Sequence, residues 1–147
     1  MMSQKTYRTI LWGTSVFGVL CFIFANSLLP SGESAEESRS FLDLLRAFFP
    51  FLTHHLVRKI AHVAEYALLG AHLAFAPSLW CVRARFSSTV SILFGTLVAL
   101  IDEGIQRFVP GRGASLGDVL IDTLGYLFGL VLIFVLLLLI QRRKKNA

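Results

Sequence analysis

Lys59, His62, Glu65, Asp102, Glu103, Gln106, Arg112, Asp118 and Asp122 lie at the ends of strongly apolar stretches, where ionised groups are expensive to keep. A charge deep in a bilayer costs roughly 2.5 to 3.5 kcal/mol or more, so several together must pair with one another or line a wet cavity. The set contains the parts of acid–base chemistry. His62 would act as general acid or base and Glu65 as the group orienting its ring. Asp102 and Glu103 would be neighbouring carboxylates able to share a proton, and Arg112 a stabiliser of negative charge. The same residues would also serve to bind an anion without turning it over. For that, Arg112 is the anchor, because its planar fork suits bidentate pairing with carboxylate or phosphate; internal pairing with Asp118 or Glu103 is the structural alternative. A metal could use His62 and Glu65 with Asp118, Asp122 or Glu103, but one histidine beside an arginine and a lysine argues against it, and no metal or other cofactor is expected.

Helical spacing groups these residues. Arg58 and His62 are four apart and His62 and Glu65 three apart, while Asp102 with Gln106, and Asp118 with Asp122, are also four apart, so each pair shares a face. Below Asp122 the same face continues through Gly125 and Gly129, and below Asp102 through Ala99 and Gly95, small residues that allow helices to approach closely. The polar faces therefore look into a bundle. Glu65, about two turns into its segment, should meet His62, Arg58, Lys59 or Arg112 rather than lipid.

Four apolar segments must carry these faces, approximately Thr9 to Leu29, Leu56 to Leu79, Ser88 to Ile105 and Val119 to Ile140, each near the roughly 20 residues that a spanning helix needs. With 147 residues, 55% of them hydrophobic and thirteen of them Phe, the chain reads as a single small membrane domain over 1–147. The fold class is all-α, a four-helix transmembrane bundle. The second segment is the weakest span, because Arg58, Lys59, His62 and Glu65 occupy its first turns; it needs partners. The net charge of +5 is no footprint for nucleic acid, since Arg142, Arg143, Lys144 and Lys145 follow directly on an apolar run as a cytoplasmic anchor at anionic headgroups. Cys21 and Cys81 fit no redox or zinc spacing.

Lys and Arg set the orientation. The segments around Lys5 and Arg8, around Arg83 and Arg85, and after Ile140 are basic and free of Asp and Glu, whereas the opposite segments mix both signs. Both termini are then cytoplasmic, and the protein is a multi-pass protein of the cytoplasmic, or inner, cell membrane. The first segment, although signal-like, is longer than a usual signal core and reads as an uncleaved anchor. The second segment runs inward from His62 and Glu65, the third outward to Asp102, Glu103 and Gln106, and the fourth inward past Asp118 and Asp122. All the polar sets therefore meet in the extracytoplasmic half of the membrane. Between the first two spans, Ser34 and Glu37 form a capping box, and Phe41, Leu44, Leu45, Phe48 and Phe49 oppose Glu36, Arg39, Asp43 and Arg46. This predicts an extracytoplasmic amphipathic helix in the membrane interface, ending at Pro50, that serves as a lid on the bundle or a platform for an amphiphile.

One ordered string runs through these segments: Lys59-x-x-His62-x-x-Glu65-Tyr66-x-x-Leu69-Gly70, then Asp102-Glu103-x-x-Gln106-x-x-Val109-Pro110-Gly111-Arg112-x-x-Ser115-x-x-Asp118, then Gly125. It resembles the VanZ-like family of small membrane proteins, the likeness being strongest over 56–129. Asp122 departs from the pattern, standing where the resemblance implies Asn. Membership implies a cell-envelope protein linked to antibiotic resistance, the family being named for low-level resistance to the glycopeptide teicoplanin; it implies no one biochemical activity. Three functions fit the residues. The site binds an anionic envelope lipid, such as a lipid-linked precursor, or a glycopeptide; or it is a membrane-embedded enzyme acting on a lipid-linked envelope substrate through His62 and the carboxylates; or it is a structural polar network. The expected partners are membrane lipids and such a precursor or glycopeptide, not nucleic acid.

Overall fold

A computed structural model describes residues 3–30, 53–80 and 88–146, together with Asp43 and Phe49. The described residues form four helices and no strand: α1 Gln4–Leu28, α2 His54–Trp80, α3 Ser88–Gln106 and α4 Leu116–Asn146. Small oxygen-bearing residues start three of them. The Ser3 side chain accepts from the Thr6 N–H at 3.1 Å, Thr53 Oγ1 from the Leu56 N–H at 3.2 Å, and Ser115 Oγ from the Gly117 N–H at 3.1 Å. Each satisfies a donor that the first helical turn leaves without a partner. α1 ends where Leu29 turns extended ahead of Pro30, a residue that cannot continue a helix.

The most extensive interface is between α2 and α4. α1 packs on α2 and α3, and α3 on α4, so the helices run around the bundle in the order α1, α2, α4, α3. All four supply the core, through Ile23, Tyr66, Leu69, Val98, Ala99, Val119 and Tyr126. The small residues do what their spacing predicts. A methyl group added at Gly129 would overlap the Ala67 carbonyl, and one at Gly70 the Tyr126 carbonyl, so α2 and α4 touch backbone to backbone. Away from this seam the helices carry a broad apolar exterior. Leu116, Leu120, Leu124 and Phe128 follow one another at helical spacing down the outside of α4, all more than 60% exposed. An apolar face of that extent belongs in hydrocarbon rather than water.

Three helices, α1, α3 from Thr89, and α4, are long and apolar enough to cross a membrane. The expected fourth, α2, forms a 27-residue helix but does not reach that apolarity, because its first half carries Arg58, Lys59, His62 and Glu65. It is instead the helix held most closely by its neighbours. α4 is longer than expected, and its 31 residues correspond to about 46 Å. That exceeds a hydrocarbon core of about 30 Å, and the exposed end carries the basic run Arg142 to Lys145. Apart from Asp43 and Phe49, both exposed, the expected interfacial helix at 34–49 lies outside the described residues, as does the basic segment 82–87.

Candidate functional site

All nine polar residues come together at one end of the bundle, joined there by the end of α1. Lys59 Nζ on α2 stands 2.6 Å from Asp118 Oδ1 in the first turn of α4. His62 Nδ1, one turn further along α2, faces Asp102 Oδ2 on α3 at 3.7 Å. Gln106 Nε2 donates to the same Asp102 oxygen at 3.1 Å and lies 3.5 Å from Ser27 Oγ of α1. Glu103 Oε2 accepts from the Ser115 N–H at 2.8 Å, tying the end of α3 to the start of α4. Ser115 is thus a local capping residue, its Oγ accepting from the Gly117 N–H. Asp122, only 2% exposed, completes the cluster from α4.

The turn that presents Arg112 follows from its sequence. The Arg112 N–H donates to the Val109 carbonyl at 3.1 Å, with Pro110 and then Gly111 between them, and Gly111 has a φ of 74°. Proline second and a left-handed residue third is the signature of a type II turn, and glycine adopts that conformation without steric cost. Arg112 is half-buried, and its Nη2 donates to the Asn26 carbonyl at 2.9 Å. The alternative of internal pairing with Asp118 or Glu103 is not realised, those carboxylates being engaged by Lys59 and by Ser115. Nε and Nη1 of Arg112 are buried and have no acceptor among the described residues. Burial lowers the pKa of Arg112 and Arg58 adds to this, while Asp102, Glu65 and Glu103 oppose it. A guanidinium nevertheless stays protonated in proteins.

Two neutral residues complete the site that charge alone does not point to. Asn26 Nδ2 donates to Glu65 Oε1 at 2.7 Å while its carbonyl holds Arg112, so one residue of α1 joins an acid and a base. Ser27 is fully buried beside Gln106. Their one signal in the sequence is a polar pair closing an apolar run. Glu65 therefore has a polar partner, as the cost of a bare carboxylate requires, but the partner is Asn26 rather than His62, Arg58, Lys59 or Arg112. The expectation that Glu65 orients the His62 ring is corrected likewise, since the carboxylate beside His62 is that of Asp102. His72 is spent locally: a ring nitrogen lies 2.9 Å from the Leu68 carbonyl, and its own carbonyl accepts from Trp12 Nε1 at 2.8 Å.

The network is not closed. His62 Nδ1, Glu65 Oε2 and Asp102 Oδ1 are buried without a hydrogen bond among the described residues, as are the two Arg112 nitrogens. A narrow cleft lined by Arg58, Lys59, His62, Glu103, Asp118 and Asp122 reaches the cluster; its volume, traced by the centre of a water-sized sphere, is about 10 Å³. That is room for about one water. His62, Asp102 and Asp122, all buried and each from a different helix, bring one donor atom apiece to within 4.8 Å of one another. The arrangement can therefore hold a small cation or water between three helices, and it keeps a guanidinium with two unused donors beside them.

No curated protein and no solved structure shows significant similarity to the chain. The family model described as VanZ/LLP1 matches residues 12–138, which takes in α2 and α3 whole, most of α1 and α4, and every residue of the polar cluster. The resemblance carried by the string from Lys59 to Gly125 thus extends over most of α1 and α4, and with three helices apolar enough to cross a membrane, the chain is a membrane protein of the VanZ/LLP1 family.

Proposed function

We propose that the protein crosses the cytoplasmic membrane four times, with both termini inside, and that its extracytoplasmic polar end binds an anionic group of an envelope lipid, such as a lipid-linked precursor, or of a glycopeptide through Arg112. The observation that carries this reading is the Arg112 guanidinium itself. Asp102, Glu65 and Glu103 all lie near enough to act on its charge, yet one nitrogen is held by a neutral carbonyl and two buried nitrogens have no acceptor among the described residues. Unmet donors of this kind cost about 1 to 3 kcal/mol, more when charged, and a phosphate or carboxylate supplying two oxygens would relieve that cost. The cleft is too small for a headgroup, so binding requires the turn at 107–115 to move outward, with Lys59, His62, Glu65, Glu103, Gln106, Asp118 and Asp122 shaping the pocket so opened. Tolerance of an envelope-directed antibiotic would follow from masking or relocating such a target.

The test is to purify the protein in native lipid and quantify copurifying anionic lipids by mass spectrometry for the wild type and for Arg112→Lys. Lysine keeps the charge and loses the fork, so the bound lipid should fall about tenfold or more at equal protein abundance, with glycopeptide tolerance falling in parallel. Equal lipid recovery and equal tolerance in both proteins would show that Arg112 binds no such anion and would overturn this reading. A second reading rests on the His62–Asp102 pair, whose 3.7 Å separation could tighten to a hydrogen bond when a lipid-linked substrate binds, as catalytic pairs do.

The membrane orientation has its own check. In a protein without Cys21 and Cys81, a cysteine at Gly113 should react with an impermeant reagent from outside, and one at Arg143 only after the membrane is opened. Labelling of position 113 from the cytoplasmic side alone would reverse the orientation and remove an envelope ligand from reach.

A further inference from the structure

We infer that His62, Asp102 and Asp122 form a binding site for one divalent first-row metal ion. Each residue comes from a different helix, α2, α3 and α4 respectively, and their donor atoms already lie within 4.8 Å of one another. At metal–ligand distances near 2.0 to 2.2 Å, tetrahedral ligand atoms stand about 3.4 Å apart, so a small side-chain rotation closes the set around an ion. The 3.7 Å between His62 Nδ1 and Asp102 Oδ2 is long for a hydrogen bond and close to a ligand-to-ligand spacing.

Two further observations point to an occupant. Asp102 is wholly buried, with the Ser27 and Tyr66 hydroxyls beside its carboxylate but no hydrogen bond of good geometry to its Oδ1 among the described residues; His62 is 9% exposed and its Nδ1 has none either. Both atoms belong to the converging residues. The local charge points the same way. Written as ionised, the five carboxylates of the cluster exceed the three cations Arg58, Lys59 and Arg112 by two, an excess that either protons or one divalent ion must balance. A divalent ion balances that charge where water cannot, and buried charges in proteins are paired or bind metals.

The ligand types narrow the ion. Two carboxylates alone would suit Mg²⁺ or Ca²⁺, but the imidazole shifts preference to first-row ions such as Mn²⁺, Fe²⁺ or Zn²⁺. Three protein ligands with a water in the fourth position is the arrangement that catalytic zinc sites keep, and the adjoining cleft has room for about one water. Gln106, donating to Asp102 at 3.1 Å, fixes that carboxylate from outside the ligand set. None of this depends on Arg112 binding an anion.

Full-length protein in lipid nanodiscs, stripped with a chelator and dialysed against micromolar Zn²⁺, should retain one Zn²⁺ per chain by elemental analysis. Asp122→Asn keeps shape and polarity and should weaken binding by more than the roughly 10- to 100-fold that loss of an outer-shell partner costs, with helical content unchanged. His62→Gln should do the same. Replacement of the exposed His55 by Ala should leave the stoichiometry at one, and so should Arg112→Lys, which separates this site from the proposed anion site. A wild-type protein that retains no Zn²⁺ overturns the inference, the carboxylates then being held by protons. Retention that survives both Asp122→Asn and His62→Gln overturns it too, by placing the ion elsewhere.

Discussion

Gly129→Ala should destabilise the protein by about 3 kcal/mol or more, read as the shift in its unfolding curve when a denaturing detergent is titrated against helical circular dichroism. Overpacking a tight interface usually costs about 1 to 3 kcal/mol. The upper end applies because the added carbon would lie within the Ala67 carbonyl, on the backbone of a neighbouring helix, where no side chain can rotate away. The two helices must separate, and the contacts of the most extensive interface in the bundle loosen with them. Gly104 supplies the control, since a methyl group there meets nothing within 4 Å. Gly104→Ala should be neutral or stabilising by up to about 1 kcal/mol through helix propensity. If the two variants unfold alike, α2 and α4 do not pack as described.

The second large effect is expected at α1. Asn26→Leu should cost about 2 kcal/mol by the same measurement, more than the roughly 0.6 kcal/mol average for an interhelical hydrogen bond in a membrane protein. The excess comes from what is left behind. Glu65 Oε2 already lacks a partner among the described residues, so losing the Asn26 amide strips the donor from the other oxygen as well. The Asn26 carbonyl is main chain and still holds Arg112, so the loss reports on Glu65 alone. In the double variant with Glu65→Leu, the penalty should largely disappear, because no buried acceptor remains to be satisfied. A single variant within about 0.5 kcal/mol of the wild type, the ordinary range for a neutral surface change, would show that Glu65 is not held in this way.

Charge makes most of the site legible in the sequence. His62, Glu65, Asp102, Glu103, Arg112 and Asp122 are so costly near apolar segments that their coincidence at one end of the chain's helices had to mean proximity. The small residues were legible for a similar reason, glycine at i and i+4 in an apolar helix being hard to explain except by close approach. Pairing was not legible. Spacing along α2 points Glu65 toward His62, but the neighbours of each side chain depend on how the helices are rotated and ordered around the bundle. That order, with α1 beside α2 and α3 nearly across from it, gives Glu65 to Asn26 and His62 to Asp102. Asn26 and Ser27 escaped for the opposite reason, since neutral residues at the end of a span carry too little hydropathic cost to stand out. Arg112 was equally open to internal pairing, and only the engagement of Asp118 and Glu103 by other partners decided against it.

The polarity of α2 has a consequence for how the protein is made. A helix carrying Arg58, Lys59, His62 and Glu65 is a poor candidate to leave the translocon for lipid alone, and its principal partner is α4, which begins 36 residues after α2 ends. At about 5 to 20 residues per second, a ribosome needs seconds to cover that gap. If α2 is the fourth span proposed above, it shelters during this time against α1 or at the edge of the translocon, and its release into the bilayer should coincide with the arrival of Gly125 and Gly129. On the four-span reading proposed above, the entry of α2 into the membrane is a paired event that the later synthesis of α4 completes.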